Sequence, residues 1–217
     1  MNPAPATPLA QPVDGGRTLI IACGAIAHEV MGVLRQPGLD HVDVTCLPPE
    51  LHNRPEKIPS AVAGKLEEAR RDYAQVFVAY ADCGTGGLLD SVLDEHGVER
   101  IPGAHCYEFF AGAKDFAELS DEEPGTFYLT DFLARNFQRL IVDGLGMSKY
   151  PELKDMYFGH YQRVVYLRQS MERDEEIAAR EAAAWLGLKF EMRHTGYGEL
   201  EASLRNLEIN QMATERA

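Results

Sequence analysis

Three of the four cysteines in this 217-residue chain fall where a strand gives way to a helix: Cys23 in IIACGAIAHEV, Cys83 in VFVAYADCGTGG and Cys106 in IPGAHCYEFFAG. In an open α/β sheet such positions share one edge, the edge where ligands bind. At Cys83, a thiol beside the free N–H groups of a helix start is expected to have a lowered pKa and to serve as nucleophile or metal ligand. Three thiolates at one edge would suit zinc with a fourth position open to water or substrate. They would equally suit a [4Fe–4S] cluster with one iron left free. Soft ligands favour both metals, so residue type alone does not choose. Cys46, inside the apolar run HVDVTCL, reads as packing.

The residues around these cysteines extend the candidate site. In DCGTGG, Gly84, Gly86 and Gly87 permit a tight turn and close backbone approach, so their amides are expected against an anionic part of a substrate. Gly24, Gly84, Thr85, Gly86 and Gly87 are therefore the expected cofactor-binding positions. The run differs from the dinucleotide fingerprint and lacks the lysine of a phosphate-binding loop. His105, Cys106 and Glu108 place three ligand types within four residues. Neighbours on an extended chain point apart, so Cys106 is the expected ligand, with His105 and Glu108 as supporting groups that orient or move a proton. His28 and Glu29 could face either a cleft or solvent, and Thr130 or Asp131 reads as a helix N-cap.

Alternating elements must position these groups. RTLIIACG, HVDVTCL and VFVAYA read as strands before Asp121, and GTFYLT, RVVYLRQ and KFEMRHTG as strands after it. Helices are expected over about 25–36, 60–73, 88–97, 113–119, 130–146, 171–187 and 198–212. That alternation implies βαβ units and an α/β fold: a mostly parallel Rossmann-like sheet flanked by helices. It can be arranged as two pseudo-equivalent lobes around a cleft, 17–120 and 121–217, with the seam at SDEEPG, or as one continuous domain over 17–217. Residues 1–16, rich in Pro, Ala and Gly, are expected to be a disordered tail with no secretory signal, which makes the cytoplasm the expected location. The formal net charge of −13 argues against a nucleic-acid footprint, and no apolar run is long enough for a bilayer. A small molecule is the expected partner, and an oligomer is compatible with the composition.

Taken together, IACGAIAHEV, LPPELHNRPEKIP, DCGTGGLLD, GAHCYEFFAG, EEPGTFYLTDFL and LGMSKYPELKDMYFGHYQRVVYLRQ resemble a bacterial and archaeal family catalogued as domain of unknown function 1638. The resemblance covers nearly everything after the tail. It implies the fold class, and it adds His52 to the site as a fourth metal ligand or general base. It also implies an association with corrinoid-dependent methyl transfer. Three functions are then expected to compete. The first is a metal-dependent transferase or lyase of one-carbon metabolism with Cys23, Cys83, Cys106 and His52 on zinc or an iron–sulfur cluster. The second is an accessory protein that carries a corrinoid, haem or metal to a methyltransferase partner. The third is a metal-free enzyme using the Cys83 thiolate with His52 or His105 as base.

Overall fold

Apolar runs build two separate parallel sheets, and in the computed structural model, which describes residues 16–205, each sheet belongs to its own compact unit. The tail expected over 1–16, apart from Gly16, and the last helix beyond residue 205 lie outside the described residues. One unit holds the chain up to Cys106 together with the chain from Leu200 onward, and the other holds Tyr107–Glu199.

In the first unit every residue of β1 (Thr18–Cys23) is buried, as a central parallel strand requires. It pairs in parallel with β2 (Val42–Leu47) on one side and β3 (Gln75–Ala79) on the other, and β4 (Glu99–Arg100) lies beyond β3. Helices α1 (Ala27–Leu34), α2 (Ile58–Ala69) and α3 (Leu88–His96) contribute Val30, Val33, Ile58, Val62, Leu66, Leu89 and Leu93 to the core. The strand order β2-β1-β3-β4 runs outward in one direction from β1 to β2 and in the other from β3 to β4. The reversal between β1 and β3 is a topological switch point, and the crevice at the carboxyl ends of those two strands is where such sheets bind ligands. Cys23 ends β1, and Tyr80 and Cys83 follow β3 directly.

The second unit is a sheet of order β5-β6-β7, all parallel, made of Thr126–Leu129, Arg163–Arg168 and Lys189–His194. Around it lie α4 (Cys106–Ala111), α5 (Ala113–Glu122), α6 (Asp131–Arg135), α7 (Leu153–Phe158) and α8 (Arg173–Leu186). Its core joins Leu129, Val164 and Tyr166 of the strands to Phe137, Phe158, Ala179, Ala183 and Leu186. Thr130 is the N-cap of α6, its side chain accepting from the Leu133 amide at 3.2 Å. The single helix expected over 130–146 is instead α6 followed by a wider π-turn at Gln138–Asp143.

The boundary between the units falls after Cys106, not at SDEEPG. The reason is packing. The rings of Tyr107 and Phe116 stand 5.5 and 5.0 Å from that of Tyr128, and the Ser120 and Tyr128 hydroxyls are 3.1 Å apart. The Arg163 guanidinium donates to the Leu119 carbonyl at 2.9 Å. Tyr107 of α4 and Phe116, Leu119 and Ser120 of α5 therefore belong with the second sheet. The fold is α/β and Rossmann-like, with two parallel sheets flanked by helices. No helix among the described residues is long and apolar enough to cross a membrane.

Candidate functional site

Cys23 closes β1, and its sulfur accepts from the Ala25 amide at 3.2 Å, starting the short 3-10 turn Gly24–Ile26. Gly24 is there for clearance. A Cβ on it would stand 2.9 Å from the Leu47 carbonyl oxygen and 3.0 Å from Pro49 Cδ. This is the loop leaving β2, two 3-10 turns at Pro49–Asn53 and Pro55–Lys57, and it carries His52. Gly24→Ala is expected to cost about 1–3 kcal/mol by overpacking and to displace His52. Thermal unfolding with a His52 imidazole NMR shift would check both, and an unchanged Tm would contradict the clearance role.

His52 is held in one tautomer. Its Nδ1 lies 3.0 Å from the Pro49 carbonyl oxygen, which can only accept, so Nδ1 carries the proton and Nε2 keeps its lone pair. The Cys23 sulfur is 3.8 Å from Nδ1 and 3.9 Å from Nε2. The imidazole stacks on the Tyr80 ring, centroids 6.3 Å apart and planes 11° off parallel. Burial lowers the pKa of His52 below its ordinary value, against the pull of the Pro49 carbonyl, and the nearby His105 lowers it further. His52 is thus a neutral imidazole at neutral pH.

Cys83 is the one described non-glycine residue with a positive φ, at 51°. Such a conformation costs on the order of 1–3 kcal/mol and persists only where neighbours enforce it. Here the Asp82 and Cys83 amides donate to the carbonyls of Gly103 and Ala104 at 3.0 and 2.8 Å. The Asp82 carboxylate then accepts from the Thr85 hydroxyl at 2.6 Å and from the Gly87 and Gly86 amides at 2.9 and 3.1 Å. Those bonds, the Thr85 hydroxyl foremost, hold the Asp82 carboxyl down at about 2. The cradle expected at Thr85, Gly86 and Gly87 is therefore an internal brace, its donors already taken by Asp82. Gly84, at φ 84°, turns beneath Pro55, which a Cβ would meet at 3.5 Å.

The thiols depart from the low pKa expected at a helix start. Burial pushes Cys83 up to about 11, outweighing the Ala81 and Cys106 amides that favour its thiolate. Burial pushes Cys23 up to about 12, with Cys83 adding to the rise. Cys106 is pushed well up by burial and then by the nearby Cys83, Cys23 and Glu29. Each would-be thiolate is opposed by desolvation and by the others.

The carboxyl ends of four adjacent strands thus deliver one group each: His52 after β2, Cys23 on β1, Cys83 after β3 and Cys106 after β4. Among the described residues, no three His, Cys, Asp or Glu side chains are already placed to hold a metal ion. His105 and His28 are exposed, while Glu29 is only 2% exposed. Glu108 lies in the first turn of α4, on the second unit's side of the boundary. Cys46, on the edge strand β2, is exposed and not packed. Sequence reasoning missed Tyr80, which is 1% exposed and whose hydroxyl, near the Cys23 sulfur, makes no hydrogen bond of good geometry. Its place in the apolar run VFVAYA gave it the look of a core residue. A separate cleft of about 740 Å³ lies in the second unit between α5 and the end of β7, lined by Asp115, Glu118, Glu122, Arg193 and His194 among others; none of the cysteines lines it.

A family model described as Protein of unknown function (DUF1638) matches residues 46–204. The match takes in His52, Cys83, His105 and Cys106 and stops short of Cys23 and Gly24, a narrower span than the resemblance drawn from the segments above. No curated protein matches the chain.

Proposed function

The chain belongs to the DUF1638 family, and we propose that it is a zinc-dependent enzyme acting on a small molecule of one-carbon metabolism. The observation that carries this reading is His52, whose Nδ1 is tied to the Pro49 carbonyl while Nε2 stays available 3.9 Å from the Cys23 sulfur. A metal-binding histidine commonly gives its other ring N–H to a backbone carbonyl in this way. Two donors on a tetrahedral zinc stand roughly 3.5 Å apart, and since the Cys23 sulfur is equally near Nδ1, a turn of the Cys23 or His52 side chain would bring it onto the Nε2 lone-pair side. The donor set of Cys23, Cys83, Cys106 and His52 is soft and mixed, which suits zinc better than an all-thiolate cluster.

A thiolate-held zinc with an exchangeable position supplies Lewis acidity and activates a substrate nucleophile. The chain supplies the rest. Cys23, Cys83 and Cys106 would hold the ion as thiolates, and its charge would offset the burial and mutual repulsion that raise them as free thiols. The glycine-rich turn, braced by Asp82, fixes Cys83, and His105 serves as a proton-moving group. The one-carbon assignment rests on the family resemblance. A metal-free Cys83 nucleophile is disfavoured, since a thiol near 11 leaves about 1 in 10,000 molecules ionised at pH 7.

The test is calorimetric zinc titration of the metal-free protein in buffers of different ionisation enthalpy. Raised thiols and a neutral imidazole predict release of about three protons per zinc at pH 7, and tighter binding as pH rises. Release of fewer than two protons would contradict ligation by these thiols. An iron–sulfur cluster, corrinoid or haem would instead absorb visible light, which zinc does not.

A further inference from the structure

Tyr80 sits at the switch point between β1 and β3, in the chain that leaves β3 toward Cys83. Its ring is fixed against His52, and it is 1% exposed. Its hydroxyl lies among sulfurs, Cys23 first and then Cys83 and Cys46; the Cys23 sulfur is a weak acceptor, and no hydrogen bond of good geometry satisfies the hydroxyl. The Cys23 sulfur already accepts the Ala25 amide. A buried hydroxyl left unmade costs about 1–3 kcal/mol, and natural proteins keep such groups rarely. Replacing tyrosine by phenylalanine would remove that cost without changing the shape of the core. The hydroxyl is retained at the one place in this sheet where the topology directs a ligand.

From this we infer that Tyr80 is a substrate-binding residue that donates its O–H to a carboxylate or carbonyl oxygen, so the substrate of the site carries such an oxygen. The inference deepens the proposed function and rests on it for the location of the substrate. It also explains why the expected anion cradle at Gly86 and Gly87 is closed by Asp82: the oxygen is received by Tyr80, not by the glycine-rich turn.

The experiment uses the full chain loaded with Co²⁺ in place of zinc and acetate as the carboxylate probe, comparing wild type with Tyr80→Phe. Expected is an acetate dissociation constant raised about tenfold in the variant, the loss of one buried hydrogen bond. The sulfur-to-cobalt absorption and the cobalt affinity are expected to stay the same, and the Tm without acetate to be unchanged or higher. Equal acetate binding by both proteins overturns the inference. So does a variant whose cobalt spectrum shifts while acetate binding does not, because Tyr80 would then serve the Cys23 thiolate. Should the wild type take up no cobalt, the zinc reading fails by itself. Tyr80 is then judged on metal-free protein: acetate raises the Tm of wild type but not of Tyr80→Phe if the inference holds, and raises both or neither if it does not.

Discussion

Cys83→Ser is expected to weaken zinc binding more than about 100-fold, since loss of a mere supporting partner of a metal ligand already costs 10–100-fold. The substitution is nearly isosteric, and serine meets the same backbone demand as cysteine at φ 51°. The Asp82 brace does not involve the Cys83 side chain, so the turn keeps its bonds to Thr85, Gly86 and Gly87. The lost affinity would therefore report the thiol and not the fold. Competition against a chromophoric zinc chelator measures it. Cys46→Ser is the control: Cys46 lies near Tyr80 and Cys23 but is exposed on an edge strand and outside the proposed ligand set, and its replacement is expected to leave zinc affinity within about twofold. A Cys83→Ser protein that binds zinc like wild type would remove Cys83 from the site.

Asp131→Ala is expected to destabilise the second unit by about 3–5 kcal/mol, through donors stranded in a dry interior. Asp131 is 2% exposed. Its carboxyl oxygens accept the Tyr166 hydroxyl at 2.6 Å, the Ser170 amide at 2.7 Å and the Gln169 amide at 3.1 Å. Alanine leaves all three donors without that acceptor, at about 1–3 kcal/mol each before entering water recovers part of the loss. These bonds tie the start of α6 to the chain leaving β6, so the carboxyl ends of β5 and β6 would part together. The single tryptophan, Trp185, packs on Phe137 in the same unit, 5.7 Å between centroids, and its fluorescence follows this unit in urea. A loss below about 1 kcal/mol would show that the network is not holding those strand ends.

The strands were legible because a parallel strand covered on both faces must be an unbroken apolar run, as in LIIAC and VVYL. β4 was not, since Glu99–Arg100 pairs through its backbone alone and has no apolar run to betray it. The unit boundary was hidden for a different reason. SDEEPG looks like a linker, yet the decisive event is which sheet Tyr107 and Phe116 cover, a tertiary choice that local composition does not encode. Of the candidate site, the strand-end positions of Cys23, Cys83 and Cys106 followed from topology. The state of their thiols did not, because burial at the end of a covered strand outweighs the N–H groups of the next turn. The glycine-rich turn misled in a readable way. Asp82 with Thr85 three residues on is the pattern of a side chain folding back onto its own turn, and that signal was present in DCGT.

X-ray absorption at the zinc edge, on protein purified anaerobically and brought to one zinc per chain, tests the central claim most directly. The account predicts about three sulfur neighbours near 2.3 Å with one nitrogen near 2.0 Å. A shell of oxygen and nitrogen without sulfur, or a protein that retains no stoichiometric zinc, would contradict it.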